Sequence, residues 1–112
     1  MIFVTGPLFS GKREYIQNAL HLSPEEFAAR AVWDAERLAA DAPDLEKLAE
    51  KLAAREIVIA SELGGGVVPV DPEERADREA AGRLACLLAQ RADTVVRVVC
   101  GLPQVLKGEL LC

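Results

Sequence analysis

A strand-like run, Met1-Ile2-Phe3-Val4-Thr5, leads directly into Gly6-Pro7-Leu8-Phe9-Ser10-Gly11-Lys12, and this junction constrains the fold more than any other stretch. The spacing is G-x-x-x-x-G-K, the pattern of a loop that wraps phosphate between a strand and a helix. Its glycines let backbone N–H groups turn toward an anion, and the helix that follows adds the positive end of its dipole. Lys12 brings a point charge to the β/γ-phosphates. Gly6, Pro7, Leu8, Phe9, Ser10, Gly11, Lys12 and Arg13 are therefore the expected nucleotide contacts, with ATP or GTP as the ligand. The alternative is a turn that merely resembles the motif, and the strand–loop–helix context weighs against it.

The motif normally continues with Ser or Thr, whose hydroxyl sits on the nucleotide's Mg²⁺. Arg13 stands there instead. One reading makes it a helix-surface residue in an ion pair, leaving the loop without its usual hold on the metal. The other makes it a guanidinium that places charge on a phosphate and partly replaces the metal. The substitution puts Mg²⁺ in doubt as a cofactor, and no protein-held metal site is expected.

Beyond the loop, a helix is expected from about Lys12 to Leu20. Ser23-Pro24-Glu25-Glu26 reads as a second helix start, with Ser as cap, Pro at the first helical position and Glu closing a capping box. Ala31-Val32-Trp33 reads as a short strand with Asp34 at its exit. Leu45, Leu48, Ala49 and Leu52 fall on one face of a helix that Asp44 caps. Residues 56–61 switch to a β-branched run, Gly64-Gly65-Gly66 is a loop, and the longest helix follows Asp71-Pro72 to about Ala92. Residues 94–100 close as a strand whose Arg97 suggests the sheet edge or a covering loop. Strands alternating with helices predict an α/β fold, a P-loop-type three-layer sandwich with a small, mostly parallel sheet of about four strands. Residues 1–112 are expected to form one domain, and self-association would cover apolar surface that so small a sheet leaves open.

A net charge of −5 argues against a nucleic-acid surface, which would need a basic stripe. No apolar stretch reaches membrane-spanning length, and the cytoplasm is the expected compartment. Cys86, Cys100 and Cys112 lack metal-ligand spacing, and His21 is the single histidine. Neither zinc nor a disulfide framework is expected. Cys86 and Cys100 read as buried structural thiols.

Glu62 follows the 57–61 strand at its carboxyl end, where ligands bind in open parallel sheets. It either serves beside Lys12 as a catalytic residue, through Mg²⁺ or on an incoming hydroxyl, or is an exposed loop acid. Asp34 is a weaker carboxylate candidate. His21 reads as a surface residue. Arg75, Arg78 and Arg83 read as solvent-facing ion-pair partners, with a phosphate contact as the sharper alternative.

The opening, Ile2-Phe3-Val4-Thr5-Gly6 through Gly11-Lys12, resembles that of the adenosylcobinamide kinase/adenosylcobinamide-phosphate guanylyltransferase family. Glu62-Leu63-Gly64-Gly65-Gly66-Val67-Val68-Pro69 is similar to its N-E-V-G-x-G-I-V-P signature. Arg75, Arg78, Glu79 and Ala81-Gly82-Arg83 follow at matching spacing. Ala92-Asp93-Thr94-Val95, Gly101 and Lys107-Gly108 fit the family's ending. The resemblance covers roughly residues 1–20 and 56–108. It implies a protein of cobalamin biosynthesis or salvage that phosphorylates adenosylcobinamide, with nucleotide and corrinoid as partners and a homo-oligomeric state. The family's guanylylated histidine belongs to the middle region, which is shortened here to residues 36–55, and His21 does not match it. The resemblance therefore implies loss of the guanylyltransferase step. The alternative is a non-catalytic nucleotide- or corrinoid-binding module.

Overall fold

A computed structural model describes residues 1–63 and 71–109. Among the described residues five strands form one sheet: β1 (Ile2–Gly6), β2 (Ala31–Val32), β3 (Ile57–Ser61), β4 (Thr94–Val99) and β5 (Leu102–Lys107). Their order is β2-β3-β1-β4-β5. The first four run parallel, with Val4 opposite both Ile59 and Val96, while β5 returns antiparallel along β4. The expected α/β sandwich is present, with β5 added to the four strands read from the sequence. Arg97 consequently lies on an interior strand, because β5 pairs outside β4. Its side chain leaves the sheet surface to reach Glu62.

Alternate strand residues face opposite sides of a pleated sheet, and each side carries its own core. Phe3, Val58 and Val95 pack with helices α3 (Glu36–Ala39), α4 (Leu45–Ala53) and α5 (Pro72–Arg91) through Ala39, Leu52, Leu84 and Leu88. On the other side, Val4, Ile59, Val96 and Val98 meet Ile16 of α1 (Lys12–Ala19) and Phe27 of α2 (Pro24–Arg30). Each fully buried side chain of this size contributes about 1.5–3 kcal/mol of transfer free energy.

The helix starts follow the local chemistry of the sequence. Ser23 and Glu26 form the reciprocal capping box at 3.1 and 3.2 Å. Asp44 accepts from the Lys47 N–H, and Asp71 from that of Glu73 with Pro72 at the first helical position. At the other end of α5, the Lys107 ammonium donates to the carbonyls of Ala89 and Gln90, which ties β5 to the helix.

The thiols differ from expectation, since Cys86 and Cys100 are both exposed. At 100° per residue, the spacing that turns Leu84 and Leu88 to the sheet turns Cys86 away from it. Cys100 sits in the β4–β5 turn with φ +52°. Gly64-Gly65-Gly66, the rest of the signature through Pro69, and Cys112 lie outside the described residues. Among the described residues, no helix is long and apolar enough to cross a membrane.

Candidate phosphate site

β1 ends at Gly6, whose φ is +150°, and a Cβ there would collide with the carbonyl oxygen of Val98. The neighbouring strand thus demands glycine where the chain leaves the sheet. Gly11 precedes α1 with φ +86°, a left-handed conformation that glycine adopts without steric cost. The Gly101 N–H donates to the Ser10 carbonyl at 2.7 Å, so the β4–β5 turn braces the loop from the side.

Lys12 opens α1 and is buried, 8% exposed, with its Nζ donating to the Pro7 carbonyl at 2.6 Å. The ammonium is folded across the loop that precedes it. Burial lowers its pKa, while the charges of Glu36, Asp34, Glu62 and Glu14, in that order, pull it back up. The Ser10 hydroxyl is also buried and has no hydrogen-bond partner among the described residues. Buried polar atoms are almost always paired, so an orphan beside a helix N-terminus points to a ligand or water that completes it.

A second layer of the site comes from the exits of β2 and β3. The Glu62 N–H donates to the Gly6 carbonyl at 2.8 Å, which joins the β3 exit to the start of the loop. The Glu62 carboxylate accepts two bonds from Arg97, from Nε and Nη2, each 2.9 Å. That hydrogen bonding is the main reason its pKa lies below the ordinary value, helped by the charges of Arg97 and Lys12 and opposed by partial burial. Glu62 therefore stands near Lys12 as a committed anion with both oxygens engaged.

Sequence reasoning missed Glu36. It is 6% exposed, and its Oε1 accepts the Ser61 N–H at 2.8 Å. A carboxylate taken out of water needs compensation; the Arg37 Nε lies 4.0 Å from its Oε2, and Lys12 adds complementary charge through space. The available signal was two acids, Asp34 and Glu36, directly after a strand. Asp34 reads as a weaker carboxylate candidate, whereas Glu36 reads only as the start of the helical link over residues 36–55.

Two clefts flank the loop. One, of about 460 Å³, lies beside the exit of β2 and is lined by Ser10, Lys12, Arg13, Trp33, Asp34 and Arg37, among others. Its Arg13 is exposed and forms no ion pair among the described residues. The other, of about 660 Å³, runs between the loop and the start of α5, past Pro7, Leu8, Glu62, Asp77, Arg78 and Arg97. Phe9 projects fully exposed from the loop, with φ +56°. His21 is exposed beyond the far end of α1 and lines neither cleft. Arg83 lies on the outer face of α5.

A divalent cation fits these residues poorly. Arg13 occupies the hydroxyl position, Arg97 holds both Glu62 oxygens, and Glu36 is spent on a backbone N–H. Among the described residues, no group of three His, Cys, Asp or Glu side chains could hold a metal ion.

A family model described as cobinamide kinase / cobinamide phosphate guanyltransferase matches residues 16–106. The match starts after the loop and runs through the shortened middle. The bifunctional adenosylcobalamin biosynthesis protein CobP of Pseudomonas aeruginosa is 37% identical over 78 residues. Those residues are 70% of this chain and 45% of the relative, so the chain spans less than half of that protein.

Proposed function

Because the chain belongs to the cobinamide kinase/cobinamide phosphate guanyltransferase family, we propose that it binds ATP or GTP on loop 6–13 and phosphorylates adenosylcobinamide. The acceptor is the hydroxyl of the aminopropanol arm. Its oxygen bonds to the terminal phosphorus, the bridging P–O bond to the nucleoside diphosphate breaks, and the hydroxyl proton is released to solvent. Such transfers depend mainly on positioning and charge neutralisation, with little covalent work for the protein. Lys12 meets the transferring phosphoryl group, the loop N–H groups hold the other phosphates, and Arg13 and Arg37 add charge from the cleft wall. Glu62, fixed by Arg97 through one bond to each oxygen, orients the incoming hydroxyl by accepting its hydrogen bond on a remaining carboxylate lone pair. We read the protein as a cytoplasmic homo-oligomer.

The observation that carries this reading is Lys12 itself, a buried ammonium held at the mouth of a Gly-bounded strand–loop–helix turn beside a Ser10 hydroxyl that has no partner among the described residues. Guanylyl transfer through a histidine is not part of the proposal, since His21 lies away from both clefts. The engagement of Glu62 by Arg97, together with Arg13, favours one further reading, a binding module that holds nucleotide without turning it over.

Incubation with adenosylcobinamide and labelled ATP or GTP tests the enzyme: labelled adenosylcobinamide phosphate is the expected product. Calorimetry with each nucleotide, with and without Mg²⁺, separates the readings. Mg²⁺-independent binding without turnover would leave the module, and no binding at all would remove both.

A further inference from the structure

The chain's single tryptophan, Trp33, follows β2 at the wall of the cleft that also holds Lys12 and Arg13. One face of its indole stacks on Phe27, with centroids 5.4 Å apart and planes inclined by 23°. Phe27 is buried, whereas Trp33 remains 38% exposed. The ring is therefore fixed from behind by the core and open in front. A large aromatic side chain usually gains stability by burying its surface, and this one is instead held half in water beside a phosphate loop.

We propose that Trp33 is a stacking platform for the purine ring of a nucleotide whose phosphates occupy loop 6–13. This rests on the phosphate-binding reading of the loop. Three observations favour a purine. The cleft's volume lies within the range of small-molecule sites. Its cationic lining groups, Lys12, Arg13 and Arg37, stand ready for the phosphates, Glu14 and Asp34 add carboxylates, and the indole offers a broad aromatic face beside the apolar Leu8, Phe9 and Ile59. A purine also has two bare π-faces, whereas a corrin carries axial ligands on its faces and substituents around its rim. Stacking requires no particular base edge, so ATP and GTP are held alike on this surface.

Calorimetry with ATP, GTP and inorganic tripolyphosphate on the wild type, Trp33→Ala and Trp33→Phe separates ring from phosphate. Base–aromatic stacking predicts a loss of about 5- to 20-fold for both nucleotides in Trp33→Ala, the lower part of the range for such contacts. Tripolyphosphate affinity should stay unchanged, and Trp33→Phe should recover most of the nucleotide affinity. In the unmodified protein, saturating ATP or GTP should quench the lone tryptophan's emission and tripolyphosphate should not, a readout that does not depend on the variants folding. Equal nucleotide affinity in wild type and Trp33→Ala, or no selective quenching, overturns the platform while leaving the loop in place. If tripolyphosphate and nucleotides all fail to bind the wild type, the loop reading falls and the platform falls with it.

Discussion

Lys12 combines two properties that conflict in a resting protein, a positive charge and near-complete burial. Its ammonium exchanges water for the Pro7 carbonyl and the distant attraction of four carboxylates, and the balance, dominated by burial, still lowers its pKa from the ordinary 10.5. Phosphate is the missing counter-charge. Lys12→Ala should weaken ATP or GTP binding by about 1.5–3 kcal/mol, the scale of a charge-assisted hydrogen bond; calorimetry that shows equal affinities would place the site elsewhere. A stability effect follows with a definite sign. Between the lowered folded-state pKa and the ordinary lysine value of 10.5, the unfolded chain binds more protons, so Lys12 makes stability rise with pH across that window. Lys12→Met should remove this component, seen as a smaller gain in denaturation midpoint on raising pH toward 10.5. Lys12 was legible in the sequence because its spacing from Gly6 is local. Glu36 was not, because the two groups that give it a role in the site, the Ser61 N–H and the Lys12 charge, are each more than twenty residues away, and its neighbour Arg37 alone reads as an ordinary ion pair.

At the scale of elements, α3 is a single turn whose hold on the sheet depends on few contacts. The Ala35 N–H donates to the Ile59 carbonyl, and Glu36 caps the β3 exit at Ser61. Glu36→Ala should destabilise the fold by about 1.5–3 kcal/mol, the worth of a hydrogen bond to a charged group, and Glu36→Gln, which keeps an acceptor, by less. Urea denaturation measures both, and an unchanged midpoint in Glu36→Ala would show that the bond adds nothing. Glu36→Gln has a second expected effect. Losing the largest attractive charge on Lys12 lowers that lysine's pKa further, so alkaline loss of nucleotide affinity should begin at a lower pH than in the wild type. The long helices and buried strands were readable because periodicity and caps are local signals. β5 was not, since Leu102, Pro103 and Gln104 lack the β-branched character of Ile57-Val58-Ile59, and only pairing with β4 makes them a strand. The exposed thiols were misread for the opposite reason, their apolar neighbours suggesting burial that neither the turn of α5 at Cys86 nor the β4–β5 turn at Cys100 provides.

For the molecule as a whole, the sheet ends in an edge that carries Leu102, 70% exposed, and Leu106, 56% exposed. Uncovered apolar edge strands invite pairing with another chain. Light scattering should therefore report an oligomer for the wild type and a smaller species for a Leu102→Lys, Leu106→Lys double variant. A wild-type monomer, or a double variant of unchanged size, would remove β5 as the contact. The central place of β1 has another consequence, one of timing. Val4 pairs with Val96, about ninety residues further on, and the phosphate loop takes its brace from Gly101. Contacts so distant in sequence form late. During synthesis the loop motif leaves the ribosome long before β4 and the turn that support it. A nascent chain halted before Gly101 should carry the whole G-x-x-x-x-G-K sequence without its anion grip, and phosphate affinity would then report completion of the fold.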